Sequence, residues 1–240
     1  MAHSHDTKSI SQRLKKHKTQ SYLRDWIYGG IDGAVTTFAV VSGVTGGKLS
    51  AVVIIILGFA NLIADGFSMA ASNYLGTKSE QEEYERYKKQ EELEVEECPE
   101  GEIEEIRQIF KNEGYSGKDL ASIVKLTAKN KRHWINLMLH EEFGLPKNIR
   151  SPIKSALTTF WAFIVCGLVP LLSYLFPVPK PFLWSMLLTA VVFFAIGSIK
   201  SRWTAKPWWR SGLSTLIIGV IVAALAYFVG LGLHNLVVQS

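Results

Sequence analysis

The sequence contains little cysteine and no motif for binding nucleotides. Its two cysteines, Cys98 and Cys166, lie in a polar and a hydrophobic segment, and neither has a second cysteine at metal-site spacing. We therefore expect neither a disulfide between them nor a cysteine-based zinc site. The sequence also contains no glycine-rich phosphate loop and no internal repeat. Residues 1–24 contain no apolar run, so we expect no cleaved signal peptide.

Charge is absent from long parts of the chain and concentrated in others. Thirteen of the 21 acidic residues lie between Glu80 and Glu105, whereas Ser211–Ser240 contains no Lys, Arg, Asp or Glu. The chain is nevertheless 48% hydrophobic. This separation predicts a membrane part and an aqueous part rather than one soluble core. The lysines lie where membrane topology favours them, so the net charge of +5 says little about nucleic acid, and we expect no nucleic-acid partner.

Five hydrophobic segments reach the length of about 20 residues that a transmembrane helix needs. We predict an all-α polytopic membrane protein with five spans and a helical cytoplasmic domain between spans two and three. The predicted spans are 26–47, 50–75, 153–176, 182–199 and 213–237. The predicted parts are a basic tail without regular structure (1–24), spans one and two (25–77), a glutamate-rich metal-binding domain (78–149) and spans three to five (150–240).

The predicted orientation follows from lysine and arginine. Residues 1–24 carry six of them and residues 200–210 carry four, whereas the loops on the opposite side carry only Lys48 and Lys180. Because short cytoplasmic segments are enriched in basic residues, the N-terminus is expected in the cytoplasm and the C-terminus outside. In the first span, Gly29 with Gly33 and Gly43 with Gly47 have the spacing that lets helices approach closely. Asp32, Thr36 and Gly43 lie near one helical face, and we expect that face to meet another helix rather than lipid.

The first two spans each contain one acidic residue, Asp32 and Asp65. A charged carboxylate at the bilayer centre costs about 2.5–3.5 kcal/mol even on insertion scales, so each should face protein or a water-filled path. Asn61, Asp65 and Met69 follow one another at four-residue spacing and share one helix face. We predict that Asp32, Asn61, Asp65 and Met69 line a path for divalent cations. Alternatively, Asn61 and Asp65 only hold helices together and Met69 fills a gap.

The glutamates of residues 78–149 also follow helical spacing. Two pairs at i, i+3 precede and follow a break at Pro99, and a later helix carries a methionine and a glutamate at i, i+4. If the break folds the first two helices together, the carboxylates converge, and the set suits Fe²⁺, Mn²⁺ or Zn²⁺ better than Ca²⁺. Alternatively, the charge run is only a solvated helix face. The predicted metal ligands are Glu91, Glu94, Glu102, Glu105, Met138 and Glu142.

Several motifs resemble the vacuolar iron transporter family over about residues 22–235. They are DGAVTTFAVVSG after the basic tail, ANLIADGFSMAASNYLGTKSE before the glutamate-rich helix, WINLMLHEEFGL, and the three closing spans. The resemblance implies a five-span homodimer whose ion path lies between the two first spans. It also implies a cytoplasmic domain that collects divalent iron, and export of that ion from the cytosol in exchange for protons.

By motif position, Asp32 and Met69 resemble the family's intramembrane ligands, and the six residues of the aqueous domain resemble its cytoplasmic ligands. The chain departs from the family at Asn61, where plant and yeast members carry glutamate, and at Leu139, where some carry a second methionine. Asp65, one turn after Asn61, is a candidate replacement. The compact length and the lack of a targeting tail favour a bacterial inner membrane over a vacuole.

The predicted function is therefore transport of Fe²⁺, with Mn²⁺ as a second candidate, by proton antiport and without a prosthetic group. The alternative is a membrane-anchored metal sensor or buffer, but a plain anchor gains nothing from acids inside its spans. We do not expect an enzyme, because the glutamates lack the Glu-x-x-His pairs of di-iron carboxylate sites.

Overall fold

The computed structural model describes residues 6–16, 21–203 and 207–238, and all regular structure within these ranges is helical. The helices are α1 (Thr7–Lys16), α2 (Leu23–Gly46), α3 (Ala51–Glu97), α4 (Pro99–Asn112), α5 (Gly117–Ala128), α6 (Lys131–Glu141), α7 (Pro152–Leu175), α8 (Pro181–Lys200) and α9 (Trp208–Val238), with a 3₁₀ turn at Ser201–Trp203.

Five helices are long and apolar enough to cross a membrane: α2, α3, α7, α8 and α9. The prediction of a five-span, all-α membrane protein is therefore confirmed, and the protein is an integral multi-pass membrane protein. Helix α3 continues without interruption to Glu97, as the lack of a helix breaker before Pro99 predicts. The two cysteines, Cys98 and Cys166, are free.

Some helix ends differ from the prediction. The tail contains helix α1, so the expectation that it lacks regular structure was wrong for residues 7–16; residues 1–5 and 17–20 of that tail lie outside the described residues, as does Lys206. Helix α4 begins at Pro99 itself, because proline is tolerated in the first helical turn, where no partner for its nitrogen is needed. Helix α9 begins at Trp208, directly after Pro207, rather than at Leu213.

The chain divides into two compact units. The glutamate-rich unit comprises residues 1–20 and 76–151, and the membrane unit comprises residues 21–75 and 152–240. In the membrane unit, α2 packs closely on α7. The approach is so close at Gly33 that an added Cβ would collide with the carbonyl group of Phe163. Gly29 makes the same approach to Thr159. Gly29 and Gly33 thus lie where α2 approaches α7 closely, as their spacing predicts.

The first two spans are joined by a short turn. Lys48 has a φ of 55°, in the left-handed region. The turn is closed by hydrogen bonds from the Gly47 nitrogen to the Gly43 oxygen (2.9 Å) and from the Leu49 nitrogen to the Val44 oxygen (3.1 Å). These bonds satisfy carbonyl groups at the end of α2, where helical partners have run out.

An apolar cluster holds α3, α4, α5 and α6 together in the glutamate-rich unit. Its buried members include Val95, Ile106, Val124, Trp134 and Met138. Burying one such side chain stabilises a fold by about 1.5–3 kcal/mol. The cluster therefore fixes α3 against α4 and α6, the three helices that carry the predicted ligands.

Candidate metal centre and intramembrane polar residues

Three glutamates converge where α3 ends and α4 begins. Glu91, Glu94 and Glu102 each offer a carboxylate oxygen, and these oxygens lie within 4.8 Å of one another. Only Cys98 separates the two helices, and its backbone bonds to both: its nitrogen donates to the Glu94 oxygen (2.8 Å) and its oxygen accepts from the Glu102 nitrogen (3.2 Å). This short link turns the chain so that glutamates from both helices point into one site.

Two of these glutamates are buried without the partners that a buried charge needs. Glu91 is 1% exposed and Glu102 is 5% exposed. Neither carboxylate oxygen of Glu91 accepts a hydrogen bond, and neither does Oε2 of Glu102. Because a buried carboxylate without a partner is costly, the arrangement calls for protons or a cation. The oxygen donors fit a hard or borderline divalent ion.

Electrostatics place two more glutamates near the first three. Burial raises the pKa of Glu91 to about 8, with further contributions from Glu102, Glu142, Glu94 and Glu105. Burial, Glu105, Glu94 and Glu142 raise the pKa of Glu102 to about 7. The pKa of Glu142 is raised as well, by burial and then by Glu105 and Glu94. Five of the predicted ligands therefore interact with one another.

Met138 is placed differently from the five glutamates. Its side chain is fully buried in the apolar cluster, beside Ile106 and Trp134. Glu142, one turn later, follows the last residue of α6, and its nitrogen still donates to the Met138 oxygen (2.9 Å). The role of Met138 as a sulfur ligand stays a prediction.

Other glutamates of the charge run behave as a solvated helix face. Glu82 and Glu92 on α3 form exposed ion pairs with Lys78 and Lys88, each at 3.6 Å. The Lys131 ammonium group donates a hydrogen bond to Glu96 and lowers the pKa of its carboxyl group. These glutamates thus fit the interpretation as a solvated helix face, whereas the metal-site interpretation stays a prediction for the buried ones.

The intramembrane candidates are all half-buried. Asn61 donates a side-chain hydrogen bond to Asp65, and the Asp65 carboxylate interacts electrostatically with that of Asp32. Oδ1 of Asn61 is buried and accepts no hydrogen bond. Met69 packs against an apolar cluster that includes Phe163. The structure thus brings Asp32, Asn61 and Asp65 together from two spans, while Met69 lies one helical turn further along α3.

Asp32 also lines a cavity of about 600 Å³ at the beginning of α2. Apolar side chains of α2 form much of its wall, and Arg24, Tyr28 and Lys200 contribute polar groups. Tyr28 is 68% exposed in the single chain. An acidic group of the first span is therefore reached from an open cavity rather than sealed in dry packing.

One polar cluster escaped the sequence analysis. Asp25 is buried at the beginning of α2, where it accepts a hydrogen bond from Asn73 on α3 (3.1 Å). Asn73 also donates to Thr159 on α7 (2.7 Å). The sequence signal that could have indicated this cluster is spacing. Asn73 lies four residues after Met69 and therefore continues the series Asn61, Asp65 and Met69 on one face of α3.

These features define a class: a helical membrane protein with carboxylates inside its spans and a buried glutamate cluster in a separate helical unit. The chain belongs to the VIT family, whose model matches residues 23–231. It is 33% identical over 223 residues to a vacuolar iron transporter of Centaurea cyanus, covering 89% of this chain and 91% of the relative. It is 32% identical over 245 residues to a vacuolar iron transporter of Toxoplasma gondii (95% and 81%) and 30% identical over 223 residues to vacuolar iron transporter 1 of Arabidopsis thaliana (91% and 89%).

Proposed function

We propose that this protein transports Fe²⁺, and Mn²⁺ as a second substrate, out of the cytosol in exchange for protons. The observation that carries the proposal is the juxtaposition of Asp32, Asn61 and Asp65 from two membrane spans. Acidic residues are expensive inside a membrane and mark ion pathways there. Family membership supports the substrate, because the relatives are named as iron transporters.

The glutamate cluster is proposed to collect the ion. Glu91, Glu94 and Glu102, joined by Glu105 and Glu142, supply oxygen ligands that a divalent ion would bridge. Met138 would add a sulfur that favours Fe²⁺ over Ca²⁺. Binding displaces the protons that the buried carboxylates otherwise hold, so capture of the ion releases protons into the cytosol.

Inside the membrane, the ion would exchange water for protein ligands. Asp32 and Asp65 supply charge, Asn61 an amide oxygen, and Met69 a thioether. Protons that enter from the far side compete for the same two carboxylates. Since a carboxylate cannot hold a proton and a metal ion through the same oxygen, this competition would couple metal exit to proton entry.

We further propose that two copies pair along α2, so that both Asp32 residues line one path. The cavity beside Asp32 and the exposure of Tyr28 within it support this arrangement. In a variant without native cysteines, Tyr28→Cys should form a disulfide-linked dimer in membranes. Failure of this variant to cross-link would contradict pairing along this face. The N-terminus is proposed to lie in the cytoplasm, and the membrane to be a bacterial inner membrane.

Transport can be measured in proteoliposomes that contain a dye quenched by divalent metals. Wild-type protein should quench the dye with Fe²⁺ and Mn²⁺, and faster when a pH gradient drives protons in the opposite direction. Asp32→Ala should abolish the signal, whereas Ser173→Ala, a change at a buried hydroxyl of α7, should retain it. Transport by Asp32→Ala at the wild-type rate would refute the path.

A second candidate is a metal sensor or buffer in the membrane. The buried glutamate cluster favours it, because that cluster needs no path to bind an ion. The same vesicles separate the two functions. A sensor binds Fe²⁺ without quenching the enclosed dye, and Asp32→Ala leaves its binding unchanged.

A further inference from the structure

Two basic side chains lie at one end of the cavity that Asp32 lines. Arg24 belongs to the first turn of α2 and Lys200 is the last residue of α8, and both are exposed and line this cavity. Within the part of the chain that the structure describes, neither side chain forms an ion pair or a hydrogen bond. The acidic residue of the cavity, Asp32, interacts with Asp65 instead. Because a cleft lined by one sign of charge attracts the opposite sign, this end of the cavity calls for an anionic ligand.

The side chains that α2 contributes to the cavity follow one helix face from a basic end to an acidic one. They are Arg24, Ile27, Tyr28, Ile31 and Asp32, spaced by three and four residues in alternation with one. With a rise of 1.5 Å per residue, Asp32 lies about 12 Å further along α2 than Arg24. The headgroup layer of a bilayer is only about 5–8 Å thick. A ligand held at Arg24 among the headgroups therefore meets the acyl region of the bilayer within two helical turns.

Aromatic residues indicate that the basic end of the cavity lies at the membrane boundary. Trp208 and Trp209, at the beginning of α9, are both exposed. Trp208 packs edge-to-face on Phe194 of α8, with ring centroids 5.9 Å apart, which places it near the helix end that carries Lys200. Tyr28 adds an exposed ring within the cavity. Since tryptophan and tyrosine are enriched at the level of the headgroups, Lys200 is expected at that level too.

We propose that this cavity binds an anionic phospholipid. Its phosphate group lies between Arg24 and Lys200, and its acyl chain follows Ile27 and Ile31. Guanidinium and ammonium groups both bind phosphate, and basic pockets between transmembrane helices bind lipid headgroups. The cavity volume of about 600 Å³ is within the usual range of ligand sites. The proposal does not depend on which ion the membrane unit transports.

A second copy of the chain is the competing occupant, since pairing along α2 would cover the same face. A second copy would bring the same two basic groups, and thus more positive charge in place of the anion that Arg24 and Lys200 lack. Charge complementarity therefore favours a phosphate group in each cavity, also within a dimer.

Native mass spectrometry of the full-length protein in detergent counts the lipids that stay bound to each chain. Phosphatidylglycerol should saturate at one lipid per chain, whereas phosphatidylcholine, whose headgroup has no net charge, should bind at least tenfold more weakly. Equal binding of the two lipids would overturn the proposal. A dimer that binds no lipid would also overturn it, because the second copy would then fill the cavity. Millimolar inorganic phosphate should not displace the lipid, since it lacks an acyl chain for the apolar wall; complete displacement would indicate a site for free phosphate and refute the lipid assignment.

Three variants and a matched control locate the site. Arg24→Gln and Lys200→Gln should each raise the half-saturating concentration of phosphatidylglycerol about tenfold, which corresponds to about 1.4 kcal/mol. Arg24→Lys keeps the charge and should retain most of the affinity. Arg202, two positions after Lys200, is exposed and is not among the described residues that line the cavity, so Arg202→Gln should bind like wild type. An equal loss in all three glutamine variants would show only general attraction to anionic lipid, and wild-type binding by Arg24→Gln and Lys200→Gln would likewise overturn the proposal.

Discussion

Replacing Glu91 by glutamine should make the glutamate-rich unit more stable at neutral and alkaline pH in the absence of metal. The pKa of Glu91 rises from its ordinary value of 4.5 to about 8 in the folded protein. At about 1.4 kcal/mol per pH unit, this difference corresponds to about 5 kcal/mol. Glutamine imitates the protonated, uncharged side chain and so avoids the cost of a buried charge.

The sign of the pH dependence follows from the direction of the shift. Since the folded-state pKa of Glu91 is above the unfolded value, its contribution to stability is fully present below pH 4.5 and is lost as the pH rises through 8. The folded form holds nearly one extra proton at pH 6 and about half of one at pH 8, so wild-type stability should fall by about 2 kcal/mol over this range from this residue alone. Glu102, with a pKa of about 7, adds to the fall in the lower part of that range.

The glutamate-rich unit contains a single tryptophan, Trp134, which is buried in the apolar cluster. In full-length protein labelled with 5-fluorotryptophan, the fluorine resonance of Trp134, assigned with Trp134→Phe, reports unfolding of this unit by urea. Experiments at pH 6 and pH 8 in chelator give the two free energies. Glu91→Gln should remove most of the difference, and Glu104→Gln, a change at an exposed glutamate of α4, should not. Equal pH dependence in wild type and Glu91→Gln would refute the reasoning.

Two further predictions concern packing and surface charge. Gly33→Leu should prevent assembly of the membrane unit, seen as aggregation in size-exclusion chromatography, because the added side chain meets the backbone of Phe163. Gly76→Ala meets nothing within 4 Å and should remain monodisperse; aggregation of both or of neither would contradict the packing argument. Glu96→Gln, at an exposed ion pair, should leave urea unfolding of the glutamate-rich unit unchanged; a clear loss of stability would show that the pair matters.

Much of the fold could be predicted because its signals are local. Each span is a continuous apolar run, and the spacing of Glu91 and Glu94 already places them on one face of α3. The glycine face at Gly29 and Gly33 could be predicted for the same reason, although its partner helix could not. What spacing could not show is that a single residue, Cys98, links α3 to α4 and thereby brings Glu102 against Glu91.

The cluster around Asn73 could not be predicted from local pattern. Its partners Asp25 and Thr159 lie 48 and 86 residues away in sequence, and only the packing of three spans brings them together. In the sequence, Asp25 directly follows Arg24 of the basic tail and precedes the predicted first span (26–47). Isolated polar residues on three helices become a cluster only through tertiary contact, which periodicity does not encode.

The desolvation that raises the pKa values of the glutamates also sets how metal binding must depend on pH. An ion that takes the place of the protons on both Glu91 and Glu102 competes with two protons below pH 7, with one between pH 7 and pH 8, and with none above pH 8. Mn²⁺ affinity of the full-length Asp32→Ala variant, measured by calorimetry, should therefore rise about a hundredfold per pH unit below pH 7 and about tenfold between pH 7 and pH 8. When Glu91→Gln is added to this variant, one proton fewer competes with the ion. The rise in Mn²⁺ affinity below pH 7 should then fall to about tenfold per pH unit, even though the affinity itself is weaker. If the Mn²⁺ affinity of the Asp32→Ala variant, whose glutamate cluster is intact, rises tenfold or less per pH unit below pH 7, the ion binds at exposed glutamates, such as those paired with lysine on α3, and not at the buried cluster.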